Sequence, residues 1–322
     1  MYTKKVIKSI EKIYFLFILF LYIFTITQIK RNIIEECIEK YGKSNNGKES
    51  IRSTNKCYVS SYNSNIKILH IIITRFLVKF SPTHKFNKNL QKISYIQNGI
   101  RLMKKYLLYS LNAQSCKDFI WILMLGDDAN ITYVKSLIDL NNSFESLILY
   151  EKELKNYIKN KAYGSDILIT TRIDHDDCIY YDAVNDVRKM INTNKPILIH
   201  GYNSGLYYPE STEKYYQFIY NNNNGVWSVF GSLILVLNKV NDSYNIYDLG
   251  NHCFLKETLM KTYKTFGIKE INYEPIIIDY GDPKFIYVRQ KNSFSLEDTN
   301  KWNIDSEKNI IINFNITKFF GK

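Results

Sequence analysis

Four consecutive residues, Asp174-His175-Asp176-Asp177, are the segment of this 322-residue chain whose side chains most clearly suggest chemistry. Three carboxylates this close together repel one another, and placing them at a strand end is costly unless a positive charge neutralises them. A hard divalent cation such as Mn²⁺ or Mg²⁺ binds carboxylate oxygens and keeps positions open for phosphate oxygens. The segment therefore predicts a divalent metal site that also receives a phosphate-bearing ligand.

Transfer of a sugar from a nucleotide diphosphosugar is a reaction that needs such a site. Negative charge builds on the leaving diphosphate, and a metal that bridges both phosphates stabilises it as a Lewis acid. Arg172 precedes the acids and is a candidate phosphate ligand, because its planar guanidinium matches phosphate oxygens. A structural alternative stays open, since Asp176 and Asp177 precede a predicted helix, whose first turn favours carboxylates.

Buried strands and amphipathic helices alternate around this segment and must position it. Near-continuous apolar runs at 66–76, 119–125 and 166–173 predict strands buried on both faces. Shorter runs predict further strands at 147–150, 196–200, 231–238, 275–278 and 285–288. Apolar residues at helical spacing predict helices at 88–112, 131–140, 151–162, 179–192 and 254–266. The pattern predicts an α/β fold with a mainly parallel sheet, extended by a mixed sheet rather than a second independent domain.

Residues at other predicted strand ends are further candidates, because ligands of open α/β sheets bind beyond the carboxyl ends of the strands. Asp127 follows the strand at 119–125 and could hold the nucleotide or, with Asp128, cap the next helix. A catalytic base would be an Asp or Glu near the acceptor hydroxyl, and Asp248 and Glu257 are candidates by position. A retaining enzyme would need no base in that role, so inverting and retaining mechanisms both stay open.

Composition excludes several classes of protein. The chain is 45% hydrophobic, which excludes disorder of the whole chain. Its net charge of +12 comes from scattered lysines rather than one basic patch, so we expect no nucleic-acid partner. The five cysteines form no C-x-x-C pair, which argues against a structural zinc site, and their spacing predicts no particular disulfide.

The N-terminal region predicts a membrane signal. An uncharged apolar run at 13–29 follows four lysines and precedes Lys30 and Arg31. A signal anchor fits this pattern best, while a cleaved signal peptide and a buried core helix are the alternatives. The predicted plan is a cytoplasmic tail at 1–12, a transmembrane anchor at 13–29, a flexible stem at 30–65 and a catalytic domain at 66–322. It implies a single-pass type II membrane protein whose catalytic domain lies in the lumen of the endoplasmic reticulum or Golgi.

Six stretches of the chain resemble one known family, the putative rhamnosyl transferases. They are IITRF at 72–76, SLNAQSCKDFIWIL at 110–123, TTRIDHDD at 170–177, FGSLILVLN at 230–238, IYDLGNH at 246–252 and PKFIYVRQKNSFS at 283–295. They span most of the chain beyond the predicted stem, and TTRIDHDD is the most specific. The resemblance implies a GT-A-like nucleotide-diphosphosugar transferase fold.

The resemblance also implies roles for individual residues. Asp174 and Asp176 would contact the donor ribose and the metal, and Asp177 the metal or the donor sugar. Thr74 and Arg75, which end the first strand, would face the nucleotide. His252 is the candidate for one further metal ligand, because GT-A enzymes often supply a late His or Asp.

The leading hypothesis is a metal-dependent hexosyltransferase that uses Mn²⁺ or Mg²⁺ and moves rhamnose or another hexose. Its donor would be a nucleotide diphosphosugar, and its acceptor a glycan or glycoconjugate. One alternative is a non-catalytic, membrane-tethered carbohydrate-binding protein with the same fold. Another is a metal-dependent phosphoryl-group enzyme that uses the same acidic strand end.

Overall fold

The main feature of the fold is a seven-stranded mixed sheet. The computed structural model describes residues 57, 66–79, 89–209, 215–219, 230–250, 255–279, 282–289, 310–311 and 319–321, which belong to one compact unit, Asn55–Lys322. Its strands are β1 (Ile68–Phe76), β2 (Ile120–Leu125), β3 (Glu145–Tyr150), β4 (Ile167–Arg172), β6 (Ile197–Tyr202), β9 (Gly231–Val236) and β10 (Ile276–Asp279). They lie in the order β10-β6-β9-β4-β1-β2-β3. The predicted α/β class is confirmed.

Strand direction brings the predicted ligand-binding ends together. β3, β2, β1 and β4 are mutually parallel, whereas β9 runs antiparallel between β4 and β6. Ile73 of β1 pairs with Arg172 of β4, and Arg172 pairs on its other side with Gly231, the first residue of β9. The carboxyl ends of β1 and β4 therefore lie on the same side of the sheet, and the acidic segment follows shortly after β4.

Helices cover both faces of this sheet. On one face lie α1 (Ile93–Leu102), α2 (Leu108–Asn112), α3 (Ile131–Leu137) and α5 (Ala183–Lys189), and on the other α4 (Glu151–Lys161) and α6 (Leu255–Thr262). Each face has its own core of buried aliphatic and aromatic side chains, because the central strands are buried on both sides. The pattern of continuous apolar runs thus translates into a three-layer packing.

The helix predicted at 88–112 is divided rather than uniform. Between α1 and α2 the chain forms a π-helical turn, Met103–Leu107, which carries Lys105 and Tyr106 outward while Met103 and Leu107 stay buried. Such turns inside helices occur frequently at functional sites. Helix α1 approaches the sheet closely at Gly99, where a Cβ would lie 2.4 Å from Phe76 Cε2.

A smaller five-stranded sheet completes the fold; it is the predicted mixed-sheet extension, but of its strands only the one at 285–288 was predicted. It contains β5 (Cys178–Ile179), β7 (Ser204–Pro209), β8 (Tyr215–Ile219), β11 (Phe285–Arg289) and β12 (Ile310–Ile311), in the order β12-β8-β7-β11-β5. β5 begins directly after Asp177, so the acidic segment connects the two sheets. A disulfide joins Cys57 to Cys116, while Cys178 is a buried free thiol.

The membrane prediction is corrected. Across the part of the chain that the structure describes, no helix has both the length and the apolar character needed to cross a bilayer. The predicted anchor at 13–29 and nearly all of the stem at 30–65 lie outside the described residues. The type II single-pass placement in the endoplasmic reticulum or Golgi is contradicted by this finding and is not carried further.

Candidate functional site

The acidic segment forms a tight turn between the two sheets. Asp174, His175 and Asp176 are partly exposed, whereas Asp177 is fully buried. The amide N–H of Asp177 donates to the carbonyl oxygen of Asp174 at 3.3 Å, which closes the turn. We call residues 174–177 the acidic turn. It lies at the edge where parallel strands of an open α/β sheet present ligands.

Arg172 holds the first carboxylate of the turn. Its Nη2 lies 3.5 Å from Asp174 Oδ1, and its side chain is only 4% exposed. The guanidinium carbon is 5.3 Å from the ring centroid of Tyr247, and that of Arg75 is 4.8 Å from the same centroid. A buried guanidinium next to an aromatic face and a carboxylate is well fixed. Arg172 therefore orients Asp174 from beneath.

Tyr247 is the centre of this cluster and was missed in the sequence. It lies in the IYDLGNH stretch, in a short 3₁₀ helix, Ile246–Leu249, and its hydroxyl donates to the carbonyl oxygen of Ile73 at 3.3 Å. Burial raises the pKa of Tyr247, although Arg172 and Arg75 oppose the shift. The neutral phenol thus contacts β1 and lies beside the guanidinium group of Arg172.

The second half of the turn packs against helix α1. The ring of His175 lies 5.1 Å from that of Phe76, and its Cδ2 would be 3.6 Å from a Cβ added at Gly99. His175 is therefore partly exposed and packs against Phe76. The side chain of Asp176 is 16% exposed. Burial raises the pKa of Tyr95, and the negative charge of Asp176 raises it further. Tyr95 of α1 consequently stands near the Asp176 carboxylate.

Asp177 fastens the acidic turn to the smaller sheet. Its Oδ1 accepts a hydrogen bond from the backbone N–H of Val288 in β11 at 3.0 Å. A fully buried carboxylate in this contact is a structural tie between the sheets, because a charge-assisted hydrogen bond is stronger than a neutral one. The predicted role of Asp177 as a metal or donor-sugar contact stays a prediction.

Two residues predicted to hold the nucleotide are engaged elsewhere. The hydroxyl of Thr74 is buried and accepts a hydrogen bond from Trp121 Nε1 at 3.0 Å, so Thr74 is a core residue. Asp127 is exposed, and its Oδ1 accepts from the backbone N–H of Lys152 in the first turn of α4, at 3.3 Å. Asp127 therefore contacts the start of α4, whereas the next helix along the chain, α3, is capped by Asn130.

The candidates for a general base also have structural partners. Asp248 Oδ2 accepts from the backbone N–H of Asn245 at 2.8 Å and from its side chain at 2.9 Å, which caps the 3₁₀ helix. Glu257 is exposed on α6 and pairs with Lys261 at 2.6 Å. Neither residue has a described contact with the acidic turn. His252, the predicted additional metal ligand, lies outside the described residues.

The donor set of the acidic turn fits a metal that arrives with a diphosphate. Over the described ranges, no group of three or more His, Cys, Asp or Glu side chains is arranged to hold a metal ion alone. Asp174 and Asp176 supply two partly exposed carboxylates. Mg²⁺ is commonly bound through one or two carboxylates while substrate phosphates and water complete its shell. The oxygen-only chemistry of this pair suits Mg²⁺ and Mn²⁺.

Next to the acidic turn lies a cavity of about 220 Å³, which no local sequence pattern indicates. Most of its wall is aromatic, and the lining residues are Lys105, Tyr106, Tyr109, Cys178, Tyr208, Tyr215, Ile286 and Phe320. We call it the aromatic cavity. It collects residues from the π-helical turn, α2, the smaller sheet and the C-terminal residues. The abundance of tyrosine was visible in the sequence, but not which tyrosines come together.

Comparison with solved structures gives matches of low sequence identity and low TM-score. A putative nucleotide-diphospho-sugar transferase from Desulfovibrio desulfuricans G20 is 10% identical, covers 68% of this chain and 82% of its own, and gives a TM-score of 0.32. The inositol-1-phosphate CTP transferase from T. maritima is 11% identical, with coverages of 75% and 98% and a TM-score of 0.34. Rv0371c from Mycobacterium tuberculosis, in complex with manganese, is 9% identical, with coverages of 74% and 99% and a TM-score of 0.30. These scores carry no argument about function.

Sequence comparison is more decisive. No curated protein matches the chain significantly. A family model described as putative rhamnosyl transferase matches residues 82–264, which is more than half of the chain and includes the acidic turn. This chain therefore belongs to the putative rhamnosyl transferase family.

Proposed function

We propose that this protein is a glycosyltransferase that moves a sugar from a nucleotide diphosphosugar to a hydroxyl group of a glycan or glycoconjugate. One observation carries the proposal: a buried arginine fixes Asp174 beside a partly exposed Asp176 at the carboxyl edge of the sheet. The family to which the chain belongs is described as a transferase of sugars. We infer a GT-A-like organisation for the same reasons, with rhamnose or another hexose as the donor sugar.

The reaction would proceed by exchange of one bond at the anomeric carbon. The acceptor oxygen forms a bond to that carbon as the bond to the β-phosphate oxygen breaks, and the electron pair leaves with the nucleoside diphosphate. The acceptor hydroxyl loses its proton to a base or to solvent. A divalent cation, when bound, would stabilise the charge that grows on the diphosphate.

The residues of this chain would act by orientation. Asp174 and Asp176 would bind the metal and, through it, the diphosphate. The ion pair with Arg172 would keep the Asp174 carboxylate in a fixed orientation. Preorganised charge of this kind contributes more than charge that must be ordered during the reaction. Arg172 is therefore a positioning residue in this proposal rather than a direct phosphate ligand, and Tyr247 supports its guanidinium.

A second candidate function is a carbohydrate-binding protein without catalytic activity. The aromatic cavity favours it, because aromatic walls with hydroxyl groups suit sugar rings whether or not a reaction follows. The two functions differ in what the acidic turn does. Only the transferase needs Asp174 and Asp176 to bind a metal and a diphosphate.

A thermal-shift experiment on the full chain separates the two functions. UDP, GDP and dTDP are added with and without Mn²⁺, and a metal-dependent rise in the melting temperature for one nucleotide supports the transferase. Asp176→Asn should abolish that rise. The matched control is Asp139→Asn, an exposed acid in the loop after α3. The absence of any metal-dependent shift, or a shift that Asp176→Asn leaves intact, contradicts the proposal.

A further inference from the structure

The aromatic cavity has the composition of a site for one sugar ring. Tyr208 and Tyr215 stack with their centroids 4.7 Å apart, and Tyr109 meets Phe320 edge to face at 4.7 Å. The C–H faces of a pyranose are attracted to aromatic faces, whose π-electrons carry partial negative charge. Tyrosine hydroxyls around the same wall can exchange hydrogen bonds with sugar hydroxyls. An aliphatic wall would offer neither interaction.

The size of the cavity restricts the ligand further. Its volume of about 220 Å³ is below the roughly 300–1,000 Å³ of pockets that receive drug-sized molecules. One ring-sized group fits, whereas an extended oligosaccharide would have to continue outside. Lys105 is exposed and lies 4.8 Å from the ring centroid of Tyr106, so its amine stands at the rim as a hydrogen-bond donor.

The position of the cavity connects it to the acidic turn. Cys178 forms part of the wall and directly follows Asp177, so it stands two positions after Asp176 in the chain. Two residues span at most about 7 Å. Ile286, also in the wall, precedes by two residues Val288, whose N–H binds Asp177. The thiol of Cys178 is buried, and burial followed by the charges of Asp177 and Asp176 raises its pKa well above the usual value.

We propose that the aromatic cavity binds the acceptor sugar, as one pyranose ring stacked on the tyrosines of the π-helical turn, α2 and the smaller sheet. The proposal rests on the proposed transferase function, because a ring held there would lie beside a donor diphosphate at the acidic turn. The buried Cys178 thiol has no chemical step in this proposal. It forms a neutral part of the wall.

Saturation-transfer NMR on the full chain tests the cavity without any nucleotide. The probes are the methyl glycosides of glucose, galactose, mannose and rhamnose, with n-hexanol as a ring-free apolar probe. At least one glycoside should give a signal. Tyr109→Ala and Tyr208→Leu should each weaken its binding about tenfold or more, a loss of one to two stacking contacts. Tyr163→Ala, at a tyrosine that is 93% exposed, should leave it unchanged.

Three outcomes overturn the proposal. They are the absence of binding by any glycoside, a glycoside signal that survives both cavity variants, and a signal from n-hexanol alone that depends on Tyr109 and Tyr208. Folding is checked through the melting temperature, and Tyr109 is 40% exposed, so its truncation should be tolerated. The Mn²⁺-dependent nucleotide shift is measured on the same samples. Nucleotide binding without glycoside binding rejects the cavity and keeps the transferase, whereas the reverse rejects the transferase.

Discussion

The acidic turn and the aromatic cavity are neighbours with opposite chemistry. The turn presents carboxylates, one of which pairs with a buried guanidinium, and the described wall of the cavity presents aromatic rings and one lysine. Charges at the turn suit the diphosphate that leaves, since the leaving group gains charge during transfer. Uncharged rings suit an acceptor whose sugar stays neutral. The boundary between the two regions is the single peptide link from Asp177 to Cys178.

This difference shows how one fold could keep the sites for the proposed donor and acceptor separate. The large sheet supplies the turn, because its parallel strands end together. The smaller sheet supplies about half of the residues that line the cavity. The hydrogen bond from Val288 to Asp177 joins the smaller sheet to the acidic turn. Variants that damage one region and spare the other therefore test whether the separation is real.

The largest effect is expected from Asp176→Asn. The amide keeps the shape of the side chain but removes the charge, so transfer should fall by about 10²–10³-fold, as when an electrostatic stabiliser is removed. Release of nucleoside diphosphate in the presence of Mn²⁺ measures it. Glycoside binding in the aromatic cavity should persist. Activity equal to that of Asp139→Asn would show that the charge of Asp176 is not used.

Acid should weaken the framework that both regions share. Burial lowers the pKa of His200 in β6 to about 4, with Asp186 opposing and Lys284 adding to the shift. Between about pH 4 and pH 6.5, His200 therefore binds a proton in the unfolded chain but not in the folded protein. The free energy of unfolding is therefore highest above pH 6.5 and decreases by about 3 kcal/mol towards pH 4.

Urea denaturation of the full chain at several pH values measures this loss. His200→Gln should reduce the dependence of the unfolding free energy on pH. Burial also lowers the pKa of His70, so part of the pH dependence should remain in the variant. Identical pH profiles for the variant and the original chain would contradict the assignment to His200.

A smaller effect is expected from Gly99→Ala, which acts on one region only. The added methyl would meet the ring of Phe76, which also packs against His175 of the acidic turn. Overpacking of this kind costs about 1–3 kcal/mol. Nucleotide affinity should fall while glycoside binding is retained. Ser94→Ala, at an exposed position of the same helix, is the control, and an equal effect of both would refute the packing argument.

The smallest effect is expected from Glu257→Gln. Its carboxylate pairs with Lys261 on the exposed face of α6, and exposed helix pairs contribute about 0.3–0.5 kcal/mol. Transfer activity should change less than twofold by this reasoning. A loss comparable to that of Asp176→Asn would restore Glu257 as a candidate general base.

Several structural roles were already readable along the chain. Asp248 stands three residues after Asn245, the spacing of a capping box, and Glu257 stands four residues before Lys261, the spacing of a helical ion pair. Both were predicted as candidates for catalysis because position in the chain was weighed above these local patterns. Thr74 could not be assigned in this way, since a strand buried on both faces shows no alternation that distinguishes its two sides.

Local sequence patterns were sufficient to predict the large sheet and the position of the acidic turn in the chain. Continuous apolar runs specify buried strands, and the direction of parallel strands gathers their carboxyl ends at one edge. The folded structure alone shows that Arg172 pairs with Asp174 beside Tyr247, and that tyrosines from distant segments enclose a cavity next to Asp177. Contacts between residues far apart in the chain leave no local period, because they depend on packing of whole elements rather than on neighbouring residues.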